Sequence, residues 1–215
     1  WRDWSSDVCS SDLVSRSRGD IDNDGDFDEL YAFGGRSIAI WEGSGALVWD
    51  SEDQFEQITA RLLPNNFNVS RDNVTRKNRS DNRGPEPEGI TVGKVGDSTY
   101  IFAGLERTSG IMVYNASQPL SPRFSQFITT RDYSRPIGGD VSTEALLFIP
   151  AAQNRLNIPL VIAAFEVSGT VSVFAFDAPP TVSPQVASEI GVHTSYLSPN
   201  RVLLEIPTGG ADAVS

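Results

Sequence analysis

Two groups of carboxylates carry whatever chemistry this sequence can do. The first is the run Asp20-Ile21-Asp22-Asn23-Asp24-Gly25-Asp26-Phe27-Asp28, with acidic residues at alternate positions and a glycine at the sixth. Calcium takes about six to eight hard oxygen ligands on a tight turn, alternate residues of such a loop aim inward, and glycine permits the bend. Asp20, Asp22, Asp24, Asp26 and Asp28 are therefore candidate ligands for Ca2+, since five close carboxylates repel one another unless a cation neutralises them. Position 12 is Tyr31 instead of the bidentate Glu of an EF-hand, and an apolar run follows in place of a helix. The reading is a short strand-loop-strand calcium loop; its alternative is an acidic turn that keeps the protein soluble.

The second group is dispersed. Glu88 and Glu144 each stand just before an apolar run, while Glu106 and Glu166 each close the apolar run that comes next. In antiparallel neighbours, the start of one strand and the end of the next lie at the same edge. These four glutamates are predicted to gather at one mouth of the fold as metal ligands. Arg71, Arg76, Lys77, Arg79, Arg83, Arg131 and Arg135 lie in the long connections that lead to the same mouth. Glutamates with neighbouring arginines suit a metal-bridged oxyanion such as a phosphate ester, and Arg79, Arg83 and Arg107 are the candidate substrate-binding residues. The alternative is that the glutamates cap strand ends and pair with arginines such as Arg107.

The elements that must position these groups follow from the apolar pattern. Three segments, 30–41, 100–114 and 160–176, each read as a β-hairpin: two runs rich in Val, Ile, Phe and Tyr around a turn containing glycine. Flanking runs complete the units. Strands are predicted over 90–95, 99–105, 111–114 and 124–128, then over 145–149, 160–165 and 171–176. Ahead of them come 30–33, 38–41 and 47–49, in a unit that lacks its first strand. No amphipathic helix is predicted. The fold class is all-β, an incomplete β-propeller of four-stranded antiparallel blades. The connections 50–88 and 130–143 read as surface loops, the first too polar, with Asn65, Asn66, Asn68 and Asn73 among its residues, to pack as core.

Composition narrows the partners. The 215 residues carry a net charge of -11, which repels phosphate backbones and argues against nucleic acid. No apolar stretch is long enough to span a membrane. One cysteine and one histidine exclude a disulfide framework and argue against a zinc site or a His-based triad.

Residues 1–13 match one reading frame of a sequencing-library adapter and are set apart from the fold. That removes Cys9, Trp1 and Trp4 from consideration. The predicted organisation is 1–13 as artefact, 14–177 as the C-terminal part of a propeller, and 178–215 as a linker or edge strand opening a further region, with His193 in it.

Several motifs in unbroken order carry a resemblance. Gly19-Asp20-Ile21-Asp22-Asn23-Asp24-Gly25, Phe33-Gly34-Gly35-Arg36-Ser37, Gly84-Pro85-Glu86-Pro87-Glu88-Gly89, Gly104-Leu105-Glu106-Arg107 and Glu166-Val167-Ser168-Gly169-Thr170 together resemble the choice-of-anchor I family, related to mesenchyme-specific cell-surface glycoproteins. The resemblance implies a secreted or surface-anchored bacterial β-propeller of which this chain is the C-terminal third. Members are often labelled alkaline phosphatase-like or phytase-like. Where the family has Gly-Pro-Glu-Gly-Leu, this chain has Ser142-Thr143-Glu144-Ala145-Leu146, and where the family has Asn before the last Glu it has Phe165.

Two functions follow as expectations. The first is an extracellular or cell-surface calcium-binding module that acts by binding, possible partners being extracellular matrix or phosphate esters. The second is a calcium-dependent phosphoric ester hydrolase, in which the metal polarises the phosphoryl group and arginines hold its other oxygens.

Overall fold

The computed structural model describes residues 13–176; the readings made for residues 1–12 and 177–215, including Cys9 and His193, lie outside the described residues. Among the described residues, nine strands form three antiparallel sheets. The first pairs β1 (Ala39–Trp41) with β2 (Leu47–Asp50). The second runs in order β3 (Pro87–Val95), β4 (Ser98–Leu105), β5 (Gly110–Asn115), β6 (Arg123–Ile128), and the third β7 (Thr143–Ile149), β8 (Leu160–Phe165), β9 (Thr170–Ala175). Up-and-down sheets of four, three and two strands, packed face to face without closing a ring, make an incomplete β-propeller.

The four-stranded sheet is buried on both faces, which its alternating side chains explain. On one face Tyr100, Phe102, Ile111 and Val113 pack against Phe148, Val161, Ala163 and Phe165 of the third sheet. On the other, Ile101, Ala103, Leu105, Met112 and Tyr114 meet Phe55, Ile58, Ile40 and Trp49 from the first sheet and a helix. Strands β4 and β5 therefore read as continuous apolar runs.

Four expectations are corrected. A helix, α1 (Gln54–Leu62), lies between the first two sheets. Its apolar positions Phe55, Ile58 and Leu62 recur at helical spacing, but over nine residues that signal is hard to tell from a loop. The connection from 51 to 86 is not a surface loop throughout, because Phe55, Asn68, Val69 and Ser70 are buried in it. The Asn68 amide nitrogen finds partners inside, donating to Glu56 Oε1 at 2.6 Å and Ser80 Oγ at 3.1 Å, so polarity did not exclude burial.

The third correction concerns the first hairpin. Residues 30–33 form no strand against β1. Ala32 bridges Val14, and Ser15 N–H donates to Tyr31 O at 2.8 Å, drawing this segment into the neck of the Asp-rich loop; Leu30 is left 72% exposed. The segment 130–143 is likewise partly interior, with Arg131, Asp140, Val141 and Ser142 buried.

Candidate functional site

The two innermost strands bring the glutamates together. Strands β3 and β7 run side by side, and at Gly89 a Cβ would stand 2.7 Å from Glu144 O and 3.1 Å from Ala145 Cα. That approach is possible only without a side chain. It sets Glu88 beside Glu144. Across the β3–β4 ladder, Pro87 pairs with Leu105, so Glu106 follows at the same edge.

Carboxylate oxygens of Glu88, Glu106 and Glu144 lie within 4.8 Å of one another. Glu166 is not in that trio but joins it through Arg71, whose guanidinium is 3.3 Å from Glu166 Oε2 and 3.6 Å from Glu106 Oε1. Glu144 also senses this crowd: burial, then the charges of Glu88 and Glu166, raise its pKa, while Arg107 and Arg71 pull it back.

Beneath the trio lies a carboxylate that the sequence reading did not single out as a site residue. Glu86 pairs with Arg83 and with Arg107, and shares a hydrogen bond with Glu106. Burial pushes Glu106 up to about 7, the hydrogen bond with Glu86 adds to this, and Arg107, 3.0 Å from its Oε1, opposes it. Burial also favours the neutral form of Glu86, but hydrogen bonds from Glu106, Arg83 and Arg107 outweigh it and hold that carboxyl below its ordinary value. The pair thus divides its protons unequally, the donor being Glu106. The alternation Glu86-Pro87-Glu88 was the available signal, because carboxylates two apart can serve two levels of one site.

The candidate arginines have different fates. Arg107 is buried and committed to Glu86 and Glu106. Arg83 is half exposed and holds Glu86. Arg79 is not brought to the trio: its main-chain N–H donates to Asn68 O at 2.9 Å, and its guanidinium forms no ion pair with the carboxylates among the described residues. Arg71, from the same connection, reaches both Glu106 and Glu166.

The Asp-rich loop forms a second, separate cluster. Oxygens of Asp20, Asp22 and Asp24 lie within 4.8 Å of one another, but Asp26 and Asp28 are outside this group. The loop closes where Glu29 N–H donates to Gly19 O at 3.1 Å, and a Cβ on Gly19 would meet Glu29 O at 2.2 Å. Asp20 accepts the N–H groups of Asp24 and Gly25 at 3.1 and 3.2 Å, Asp24 accepts that of Asp26 at 3.1 Å, and Asp28 accepts that of Ile21 at 2.9 Å. Asp28 therefore clasps the loop instead of joining the trio. Both clusters offer hard anionic oxygens alone, a donor set that suits calcium or magnesium over zinc or copper.

Fold and site together define a class: a β-propeller whose successive blades repeat a glutamate at the start of the inner strand and another at the turn after the next. Residues 10–119 match the model of the choice-of-anchor I domain, and the chain belongs to that family. Gigasin-3a of Magallana gigas is 27% identical over 204 residues, covering 86% of this chain and 72% of that protein. The mesenchyme-specific cell surface glycoprotein of Strongylocentrotus purpuratus is 30% identical over 105 residues, covering 42% of this chain but 14% of its own length. No solved structure matches significantly. The family and the sea-urchin relative point to an extracellular or cell-surface setting. No helix among the described residues is long and apolar enough to cross a membrane.

Proposed function

We propose that this chain is a calcium-binding module of the cell exterior, acting by binding and not by turnover. The observation that carries the reading is the presence of two separate trios of carboxylates, Asp20, Asp22 and Asp24 in one and Glu88, Glu106 and Glu144 in the other, each with oxygens within 4.8 Å. Hard oxygens held this close repel unless a cation stands among them. Extracellular fluid is where a loop of modest affinity meets enough calcium to fill it. Matrix polymers and phosphate esters are the proposed contacts of the filled sites.

The test is thermal unfolding with calcium and with chelator. Saturation at a hundredfold excess over Kd is expected to add about 2.7 kcal/mol of stability, and Asp22→Ala is expected to remove the part due to the Asp loop. An identical melt with and without calcium would leave the acidic run as a solubilising turn.

A second reading, a calcium-dependent phosphoric ester hydrolase, is favoured by the exposed side of Arg71 next to the glutamate trio. A phosphate dianion approaches carboxylates only through a metal and an arginine. Calcium-dependent release of phosphate from an ester panel, lost in Glu88→Gln, would support it. Retained calcium binding without such release supports the binding module.

A further inference from the structure

Arg71 reaches the glutamates from a connection with little regular structure after α1, so something must hold its backbone. The holder comes from the β6–β7 connection. Arg131 is buried, and its guanidinium donates to Ser70 O at 2.6 Å, to Arg71 O at 3.3 Å and to Pro136 O at 3.2 Å. Its other terminal nitrogen donates to Arg107 O at 2.7 Å and to Ser109 Oγ at 3.3 Å. The ring of Tyr133 lies under it, 5.1 Å from the guanidinium carbon, and the Tyr133 hydroxyl donates to Thr108 O at 2.7 Å.

A surface arginine that solvated itself would contribute nothing to the backbone of another segment. Here the two terminal nitrogens of one planar fork reach main-chain oxygens of two segments remote from Arg131, the 70–71 segment and the turn after β4. We infer that Arg131 is the positioning residue for Arg71: it staples the 70–71 segment to the Arg107 turn, so that the Arg71 guanidinium stands between Glu106 and Glu166. A lysine at 131 keeps the charge but has a single nitrogen, which cannot bridge Ser70 O and Arg107 O in one plane. The glutamate trio then carries a tethered cation whose place is set from outside the trio. The part of the inference that concerns calcium rests on the proposed cation binding; the part that concerns Arg71 does not.

The experiment uses the full chain labelled with 15N-arginine. Guanidinium signals are recorded for the unaltered chain, for Arg71→Ala to assign the Arg71 signal, for Arg131→Lys, and for Tyr133→Leu, which loosens the same clamp without touching its charge. The expected result is a hindered, slowly exchanging Arg71 guanidinium that becomes free in Arg131→Lys and partly free in Tyr133→Leu, while the Arg107 signal persists through Glu86 and Glu106. An Arg71 signal unchanged in a folded Arg131→Lys or Tyr133→Leu chain overturns the inference.

Calcium titration in an Asp22→Asn, Asp24→Asn background isolates the glutamate trio. Arg131→Lys is expected to tighten binding about threefold, as the tethered cation competes less, and to have no further effect once Arg71→Ala is present. An equal effect of Arg131→Lys with and without Arg71 also overturns the inference. No calcium binding at the trio in the unaltered background would sink the cation reading, and the guanidinium signals would then decide the positioning role alone.

Discussion

Glu106 and Glu166 occupy the same place in successive blades and lead opposite lives. Each follows the second strand of its sheet, and each N–H donates at 2.8 Å to the chain just ahead of the inner strand, to Glu86 O in one case and Ser142 O in the other. Each opens a four-residue turn closed by a bond to Leu105 O or Phe165 O, and the last turn residue is left-handed in both, Ser109 at φ 62° and Gly169 at φ 64°. Yet the Glu106 side chain is 6% exposed and that of Glu166 is 54% exposed. The backbone repeat is the same; the next residue is not. Arg107 turns back to Glu86 and Glu106, whereas its counterpart Val167 brings no charge. A repeat thus fixes where a carboxylate stands, and its neighbours fix its chemistry.

The largest effect should come from removing the residue that creates the difference. Arg107→Ala leaves Glu86 and Glu106 buried without their shared counter-ion, which is expected to cost about 3–5 kcal/mol in urea unfolding. A loss below 1 kcal/mol in that measurement would show that protonation of Glu106 already suffices. Next comes the approach of the inner strands. At Gly89, the position equivalent to Ala145 in the next blade, an added Cβ would stand 2.7 Å from the Glu144 backbone oxygen. Gly89→Ala is expected to cost about 1–3 kcal/mol by prising β3 from β7 and to weaken binding at the glutamate trio. Calorimetry and calcium titration on the one variant would check both.

Much of this was legible beforehand, and the limits have physical causes. Strands β3 to β9 are read nearly to the residue, because their apolar runs stand out between polar, turn-forming segments, most clearly in β4 and β5, which serve two buried faces. The meeting of Glu88 with Glu106 followed from antiparallel pairing, and their meeting with Glu144 from the convergence of the inner strands of successive blades. Glu86 was missed as a site residue because the alternation Glu86-Pro87-Glu88 does not by itself say that its first carboxylate pairs with Arg107 from the turn after β4. Helix α1 was missed because its apolar stripe is three residues long, and residues 30–33 because strand propensity cannot say which partner is at hand.

A smaller effect concerns pH. Glu106 keeps its proton up to about 7 in the folded chain, while the unfolded chain releases it near the ordinary carboxyl value. Its contribution to stability is thus fully present at low pH and is lost as pH rises through that window. Glu106→Gln is expected to flatten the slope of urea midpoint against pH between about 5 and about 8, since the amide has no proton to lose there. The equivalent change at the exposed site, Glu166→Gln, is expected to shift stability by at most about 1 kcal/mol, because it loses a half-exposed ion pair with Arg71. A pH slope in Glu106→Gln equal to that of the unaltered chain would erase the contrast between the blades.

Asp140 gives the pair of blades a mechanical property. Its carboxylate accepts hydroxyl bonds from Thr130 at 2.6 Å, at the exit of one sheet, and from Thr170 and Ser172 at 2.8 and 2.7 Å, on the outer strand of the next. A pull that peels β9 from its sheet must break the link to the preceding blade in the same movement. The two blades should therefore rip as one event in a force trace, with a single contour-length step where independent leaves would give two.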